Sequence, residues 1–415
     1  MKAVFAALLF LSLVGNLGAQ GTPPPAQAPD KTEERFKLLE ERIRALEAEL
    51  AAVKAAQAAP APAAAAAPAP APAAAAPQQL PAYSQIGGAG AAAAKVVNPD
   101  ISVVGDFLGS VGRNTIRPVP ALEMHETEVG LQAIIDPYAR ADVFLSFGES
   151  GVDLEEGYLT FTSLPGGLVA KVGKMRANFG KVNTIHNHAL AWIDRPLVTE
   201  NLVNGEEGIS DAGVSVTRIL PAPRGIFLEA TGEAFRGDSG SLFTSARKQD
   251  VSVVGRLRGY GDITENTNLE AGFSYARGHN DQGSGFLTNL YGTDVTLRWK
   301  PLRRSIYHSF LWRSEFVWSR RDQLLAQQRA FGLYSSAEYR LNRRWTLGGR
   351  FDRSDEARNA SLVDTGFSAL LTYWPSEFSQ IRGQYRFTRY AGGRDANELR
   401  FQFLFVMGAH GAHPF

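Results

Sequence analysis

The sequence predicts an all-β fold, a 16-stranded antiparallel transmembrane β-barrel, preceded by a short coiled-coil helix and an Ala/Pro-rich linker. Three observations support this prediction. Beyond residue 98, segments of about ten residues carry apolar side chains at every second position. The links between these segments fall into a short and a long class, and the chain begins with the features of a secretory signal.

The composition excludes several classes of protein before any motif is considered. The chain has 43 basic and 42 acidic side chains among its 415 residues, so its charge gives no support to a nucleic-acid partner. It has no cysteine, which excludes disulfide frameworks, thiolate metal sites and cysteine catalysis. The 41 glycines and the 10% of aromatic residues suit a single large β-structure as well as two or three smaller domains.

Residues 1–19 are predicted to be a signal peptide. Lys2 precedes an apolar run at residues 3–14, and the small residues Gly18 and Ala19 follow it. The alternative is an uncleaved membrane anchor, but the run is shorter than the roughly 20 residues that span a bilayer. We therefore expect export from the cytoplasm.

Residues 31–57 are predicted to form a coiled coil. Apolar residues recur there at alternating spacings of three and four, which is the a/d seam of a heptad repeat, and charges of opposite sign flank the seam. A single solvated helix is the alternative, and the seam allows two or three strands. The seam consists of Phe36, Leu39, Ile43, Leu46, Leu50 and Val53. Residues 58–97 follow as an extended Ala/Pro-rich linker, and the barrel is expected to occupy residues 98–415.

Sixteen amphipathic strands are predicted in this last region. In the clearest of them Leu399, Phe401 and Phe403 occupy one face, and Arg400 and Gln402 occupy the other. A soluble β-sandwich also alternates in this way, but the signal peptide, the aromatic apolar faces and the two classes of link favour a membrane barrel. The strands are expected near residues 101–108, 122–134, 138–147, 152–163, 168–175, 209–219, 226–234, 251–260, 268–277, 289–299, 306–319, 330–340, 344–352, 361–373, 378–388 and 397–407.

The links predict the orientation of the barrel. Those after even-numbered strands are short and often contain proline, whereas most of those after odd-numbered strands are longer and polar, as at residues 109–121, 236–250, 278–288 and 320–329. Short periplasmic turns and long external loops are typical of outer-membrane barrels. Both termini, and with them the coiled coil, are therefore expected in the periplasm of a Gram-negative bacterium.

Charged residues on the polar strand faces are predicted to line the lumen. Opposite signs on opposite walls would produce a transverse field, and the alternative is an ordinary wet wall of paired charges. An excess of guanidinium groups favours anionic solutes weakly. The basic residues are Arg256, Arg258, Arg298, Arg340, Arg350, Arg382, Arg386 and Arg400, and the acidic residues are Glu126, Glu128, Asp142 and Glu229.

The longest link, residues 176–208, is predicted to fold into the barrel as a constriction loop. Its apolar residues would be poorly placed in water, although an external loop packed on a neighbouring subunit is the alternative. The residues expected at the constriction are Arg176, His186, His188, Trp192 and Asp194. His186 and His188 suit zinc, but no third or fourth ligand follows at a diagnostic spacing, so we expect no metal and no cofactor. Serine, histidine and aspartate residues lack a catalytic signature, so we expect no enzyme.

The chain resembles the Gram-negative porins in its signal peptide, its even-stranded barrel with a long third loop, and its last strand near residues 399–407 followed by a terminal Phe415. It is most similar to porin-like outer-membrane proteins that begin their barrel at Asn98-Pro99-Asp100-Ile101-Ser102 and end at Gly411-Ala412-His413-Pro414-Phe415. The resemblance implies a homotrimer, and the coiled coil is similar to that of phosphate-selective porins. The third loop lacks the Pro-Glu-Phe-Gly-Gly stretch of general porins and lysines are few, so no solute preference carries over.

The sequence therefore predicts an outer-membrane porin for passive diffusion of small hydrophilic solutes, with anionic solutes as the weakly favoured class. The alternative is a structural or adhesive barrel that its coiled coil tethers to periplasmic or cell-wall partners. The expected partners are outer-membrane lipid, two further copies of the chain and, through the coiled coil, peptidoglycan or another periplasmic component. No nucleic acid is expected.

Overall fold

A computed structural model describes residues 41, 44, 48, 99–149, 151–223 and 225–408. The chain divides into two units, Met1–Gln79 and Leu80–Phe415. In the first unit Glu41, Arg44 and Ala48 are helical. The predicted signal peptide, the six seam residues, the linker and the terminal Phe415 lie outside the described residues. Within the described part of the chain, no helix combines the length and the apolar character that a membrane crossing requires.

The second unit contains a closed barrel of sixteen antiparallel strands, each paired with its neighbours in the chain, and β16 closes the barrel by pairing with β1. The predicted fold class is therefore confirmed. The strands are β1 (Asp100–Arg113), β2 (Leu122–Asp136), β3 (Ala139–Gly148), β4 (Gly151–Leu164), β5 (Leu168–Arg176), β6 (Ser210–Leu220), β7 (Ile226–Phe235), β8 (Ser252–Thr264), β9 (Thr267–Asn280), β10 (Gly283–Trp299), β11 (Ser309–Arg321), β12 (Gln328–Arg340), β13 (Trp345–Glu356), β14 (Asn359–Ser376), β15 (Ser379–Tyr390) and β16 (Arg394–Gly408).

Strand register sorts the side chains into an inner and an outer face. Between β15 and β16, Arg382 pairs with Gln402 on the inner face, and the next pair along, Ile381 with Phe403, lies on the outer face. The inner residues of this pair of strands are buried, whereas the large outer residues are exposed. An apolar, aromatic outer face around a polar interior is the arrangement that suits hydrocarbon outside the barrel.

Several links after odd-numbered strands are shorter than predicted. The expected loop at residues 278–288 is wrong, because β9 continues to Asn280 and β10 begins at Gly283. β10 has 17 residues and β14 has 18, more than the nine to eleven that cross the hydrocarbon. The ends of these strands carry polar residues, and the sequence pattern cannot distinguish a polar strand end from a loop.

The link between β5 and β6 supplies the packed centre of the barrel. It contains a short 3-10 turn (Asn187–Ala189) and one helix, α1 (Leu197–Leu202). Apolar residues of this link and inward-facing residues of the strands form one buried cluster. Its members include Phe179, Val182, Leu190, Trp192, Val198, Leu202, Val254, Ala276, Leu290, Val317, Ala330, Tyr334 and Leu370. The predicted inward folding of residues 176–208 is therefore what the structure shows, and the link is called the inner loop below.

Candidate functional site

The inner loop lies against the walls of the lumen because the walls offer small residues beneath its apolar side chains. The Phe179 ring lies over Gly292 of β10, where an added Cβ would come within 3.1 Å of it. Val198 of α1 lies over Gly332 of β12, where an added Cβ would come within 2.7 Å of its Cγ2. Burying these side chains contributes about 1.5 to 3 kcal/mol each, so the docked position is strongly favoured over an external one.

Asp194 anchors the middle of the inner loop to the wall formed by β13 and β15. Its Oδ2 lies 2.8 Å from Arg350 Nη2 and 3.2 Å from Arg386 Nη1, and its Oδ1 accepts a hydrogen bond from Gln384. Burial alone would raise the pKa of Asp194, but the charges of Arg350 and Arg386 hold this pKa well below its ordinary value. Arg350 also lies over the Trp192 ring, 4.9 Å from its centroid, so the ion pair and the apolar cluster support each other.

The two histidines anchor the loop to the wall formed by β2 and β4. The Nδ1 atom of His186 lies 2.5 Å from Glu128 Oε2, and its Nε2 atom lies 2.9 Å from Glu156 Oε2. His188 Nδ1 lies 3.0 Å from Glu126 Oε1. Burial alone would lower the pKa of His186, but its contacts with Glu128 and Glu156 raise it to about 10. His188 likewise has a raised pKa because of Glu126 and Glu128, so cationic imidazoles face carboxylates here.

A third set of contacts fixes the start of the loop against β8 to β11. Lys181 Nζ lies 2.6 Å from Glu270 Oε1, and the backbone N–H of Gly180 donates to Ser274 Oγ at 3.0 Å. Nearby, Arg256 Nη2 lies 2.9 Å from Asp294 Oδ2. The inner loop is thus held on three sides of the lumen by charged contacts and at its centre by apolar packing.

Open space remains beside the inner loop. A cavity of about 230 Å³ lies between the loop and the inner faces of β1, β2 and β16, and a wider one of about 690 Å³ opens beside β5, β6 and the residues after β7. Charged side chains of both signs line the smaller cavity: Asp106, Glu123, His125, Asp194, Arg195, Glu206 and Arg400. Polar space next to the apolar cluster gives water and small solutes a place within the lumen.

Register places every predicted lumen residue on the inner face. The eight arginines (Arg256, Arg258, Arg298, Arg340, Arg350, Arg382, Arg386 and Arg400) and the four acidic residues (Glu126, Glu128, Asp142 and Glu229) all share the inward alternation of their strands. The degree of burial differs among them. Arg350 and Arg382 are buried. The side chains of Arg258 and Arg298 are 34% and 24% exposed, so part of each faces open space.

Charges of opposite sign also adjoin one another within the barrel wall. Because β16 pairs with β1, Arg400 lies only two strands from Glu126 and Glu128. Several charges are also neutralised by neighbours: Asp142 lies 2.6 Å from Arg140, and Glu229 lies 3.1 Å from Arg258. Linear order cannot reveal this adjacency, since barrel closure brings the two ends of the chain together.

Sequence reasoning missed several residues that hold the loop. Asp352, which lies 2.7 Å from Arg350, sits two positions after it on β13, so strand alternation alone could have identified it. Glu155 was harder to place, because strict alternation would turn either Glu155 or Glu156 outward. A bulge in the pairing of β3 with β4 places both carboxylates inside.

Comparison with known proteins supports the fold. No protein-family profile matches the chain. A relative described as an uncharacterized protein of Aquifex aeolicus (strain VF5) is 29% identical over 387 aligned residues, which cover 77% of this chain and 81% of the relative.

Solved outer-membrane proteins have a similar barrel. They include OmpT of Vibrio cholerae (TM-score 0.53, 8% identity, 74% of this chain and 97% of that one), the anion-selective porin from Comamonas acidovorans (0.52, 9%, 74% and 98%) and the channel DcaP of Acinetobacter baumannii (0.50, 12%, 75% and 96%). At these identities the likeness is one of fold: the chain forms a porin-like 16-stranded barrel.

Proposed function

We propose that this porin-like barrel is an outer-membrane channel through which small hydrophilic solutes diffuse passively. The observation that carries the proposal is the division of the barrel wall into an apolar outer face and a charged inner face, with the inner loop in the lumen. In a bilayer every backbone polar group needs an internal partner, and a closed sheet supplies one. A barrel of sixteen strands is wide enough to keep water inside it.

The route for solutes runs beside the inner loop rather than through the barrel centre. The apolar cluster occupies the centre, and the polar cavity at β1, β2 and β16 lies next to it. The volume of this cavity, about 230 Å³, is enough for a small molecule. The proposal includes no catalytic step, since the charged groups of the inner face serve to anchor the loop and to line the path.

Anionic solutes are the favoured class in this proposal. Arg258 and Arg298 remain partly exposed on the inner face, and Arg313 and Arg340, also inward-facing, are half-buried. Glu229 offsets part of this charge. Guanidinium groups favour phosphates and carboxylates, and a wall of like charge selects ions of opposite sign. One solved structure with this fold is an anion-selective porin.

The assembly we propose is a homotrimer in the outer membrane, with the N-terminal region in the periplasm. One solved form of Vibrio cholerae OmpT, which has this fold, is a trimer. The predicted coiled coil at residues 31–57 would then join three chains below the membrane and contact peptidoglycan or another periplasmic component.

Conductance of the purified full-length protein in planar lipid bilayers tests this proposal. We expect stepwise openings, often in groups of three, and in a salt gradient a reversal potential that indicates anion preference. Heat-denatured protein at the same detergent concentration is the control. A correctly folded barrel that inserts without any conductance would contradict the channel, and a cation-selective reversal potential would contradict the solute class.

A structural or adhesive barrel is the second candidate, and the apolar cluster that fills the centre of the lumen favours it. Deletion of residues 31–81 separates the two functions. A channel keeps its conductance without this region, whereas a tether loses its attachment to the cell wall, measured as release of the barrel from isolated peptidoglycan.

A further inference from the structure

A cluster of four carboxylates and two imidazoles lies where the inner loop contacts β2 and β4. Its members are Glu126 and Glu128 of β2, Glu155 and Glu156 of β4, and His186 and His188 of the inner loop. We call these six residues the His–Glu cluster. Each is less than 9% exposed, so the whole group lies away from bulk water.

Three ligand atoms of the cluster lie close to one another. His186 Nδ1 lies 2.5 Å from Glu128 Oε2 and 3.1 Å from Glu155 Oε2. His188 Nδ1 approaches the same Glu128 oxygen to 3.8 Å. The ligand atoms of Glu128, Glu155 and His186 all lie within 4.8 Å of one another. One imidazole nitrogen and two carboxylate oxygens therefore surround a single small volume, and His188 lies beside it.

Three separate elements build this arrangement. Alternation along β2 turns Glu126 and Glu128 to the same face, and the bulge in the pairing of β3 with β4 turns Glu155 inward beside Glu156. The inner loop adds the histidines from the opposite side. The four carboxylates stand on two strands of the wall that both pair with β3, so their positions are fixed independently of the loop.

The chemistry of this donor set points to a divalent transition metal. We infer that Glu128, Glu155 and His186 bind one divalent ion of the zinc class. Imidazole nitrogen together with carboxylate oxygen suits such ions, whereas an all-oxygen set suits calcium or magnesium. In tetrahedral zinc with bonds of 2.0 to 2.1 Å, neighbouring ligand atoms lie about 3.3 Å apart. The contacts of 2.5 and 3.1 Å at His186 Nδ1 need to open by less than about 1 Å to reach this spacing.

The charge of the site is compatible with a dication. Arg176 Nη2 lies 3.4 Å from Glu155 Oε2 and supplies one positive charge among the four carboxylates. An ion of charge +2 adds to this positive charge and offsets the carboxylates around it, so that the buried charges of both signs are paired. Glu156, whose Oε2 lies 2.9 Å from His186 Nε2, remains beside the ion and can orient this imidazole ring.

The site would act as a clamp on the constriction. Two ligands belong to the barrel wall and one to the inner loop, so one ion joins the loop to β2 and β4. The expectation of no metal, based on the lack of further ligands near His186 and His188, is replaced here because strands distant in sequence supply those ligands.

Zinc titration of the full-length protein tests the inference. Protein purified in detergent and stripped with a chelator is titrated with Zn²⁺ alone by isothermal calorimetry, and we expect one ion per chain. His186→Gln and Glu128→Gln should each weaken binding by at least about tenfold, because even the outer partners of a metal site are worth 10- to 100-fold. His308→Ala, which lies outside the cluster next to Tyr339, is the matched control and should bind Zn²⁺ as the unaltered protein does.

Two further measurements keep the test decisive. X-ray absorption of the unaltered zinc-loaded protein should show a mixed first shell of nitrogen and oxygen atoms, and this result does not depend on any variant folding. Asp106, His125 and Glu126 form a second group of possible metal ligands nearby. His125→Ala removes the imidazole of this second group and should leave zinc binding intact. Failure of the unaltered protein to bind Zn²⁺, unchanged binding by folded His186→Gln, or loss of binding in His125→Ala would each overturn the inference. Conductance is independent of these outcomes, so the channel proposal stands or falls separately.

Discussion

Replacement of Arg350 by methionine should release the inner loop from the wall of the lumen. Arg350 is 1% exposed, and its guanidinium makes three hydrogen bonds: to Asp194 Oδ2 at 2.8 Å, to the Asp194 carbonyl oxygen at 2.9 Å and to Asp352 Oδ2 at 2.7 Å. Methionine keeps most of the apolar contact with Trp192 but removes all three bonds. Two buried carboxylates then lose their principal cation.

The cost can be estimated from these contacts. Removing one partner of a buried ion pair typically costs about 3 to 5 kcal/mol. Arg386 remains 3.2 Å from Asp194, so we take the lower value of about 3 kcal/mol for Arg350→Met. At 1.36 kcal/mol per factor of ten, this value lowers the ratio of docked to released loop by about 150-fold.

Limited trypsin digestion of the barrel in liposomes measures this ratio. Lys181 of the inner loop precedes Val182, which is 1% exposed, so trypsin should cleave the bond between them only in the released state. When opening and closing are fast compared with cleavage, the cleavage rate follows the released population, so Arg350→Met should be cut up to about 150-fold faster. Arg353→Met, three residues further along β13 and paired with Asp355, is the control. Equal cleavage rates in the two variants would refute the anchoring role of Arg350.

Three other outcomes follow from the same contacts. Trp192→Ala removes a fully buried ring whose centroid lies 5.2 Å from that of the Tyr334 ring. The substitution should lower the free energy of unfolding in urea by about 3 to 5 kcal/mol. A loss below about 1 kcal/mol would show that the apolar cluster does not stabilise the barrel. Arg258→Glu combined with Arg298→Glu should shift the reversal potential toward cations, and an unchanged potential would exclude these residues from the ion path. Deletion of residues 31–81 should preserve the conductance of each barrel, but the trimer should dissociate at a higher protein concentration on dilution. Dissociation at an unchanged concentration would argue against a role for the coiled coil in assembly.

Strand number and facing could be predicted from the sequence because barrels are governed by local alternation. The immediate neighbours of Arg382 and Arg400 predict that both face inward, and in the structure both lie on the inner face of β15 and β16. Loop lengths could not be predicted as well from the sequence, because some strand ends, such as that of β10, are polar although they are not loops. The physical cause is that lipid constrains only the middle of each strand.

The contacts of the inner loop could not be predicted, because they join residues far apart in the chain. Asp194 and Arg350 are separated by 156 positions, and His186 meets Glu128 across 58. The inward placement of Glu155 depends on a bulge, which breaks the alternation on which the strand assignment relied. The apolar character of the inner loop indicated that it would be buried, but only barrel closure determined its partners.

Thiol labelling at two adjacent positions of β8 tests the outward-apolar, inward-wet arrangement most directly. The chain has no cysteine, so Leu257→Cys and Arg258→Cys each introduce a single thiol, the first on the outer face and the second on the inner face. In liposomes, a charged, water-soluble thiol reagent should modify position 258 and leave position 257 unreacted, while a lipid-soluble reagent should modify position 257. Modification of position 257 by the charged reagent, with position 258 protected, would contradict the account.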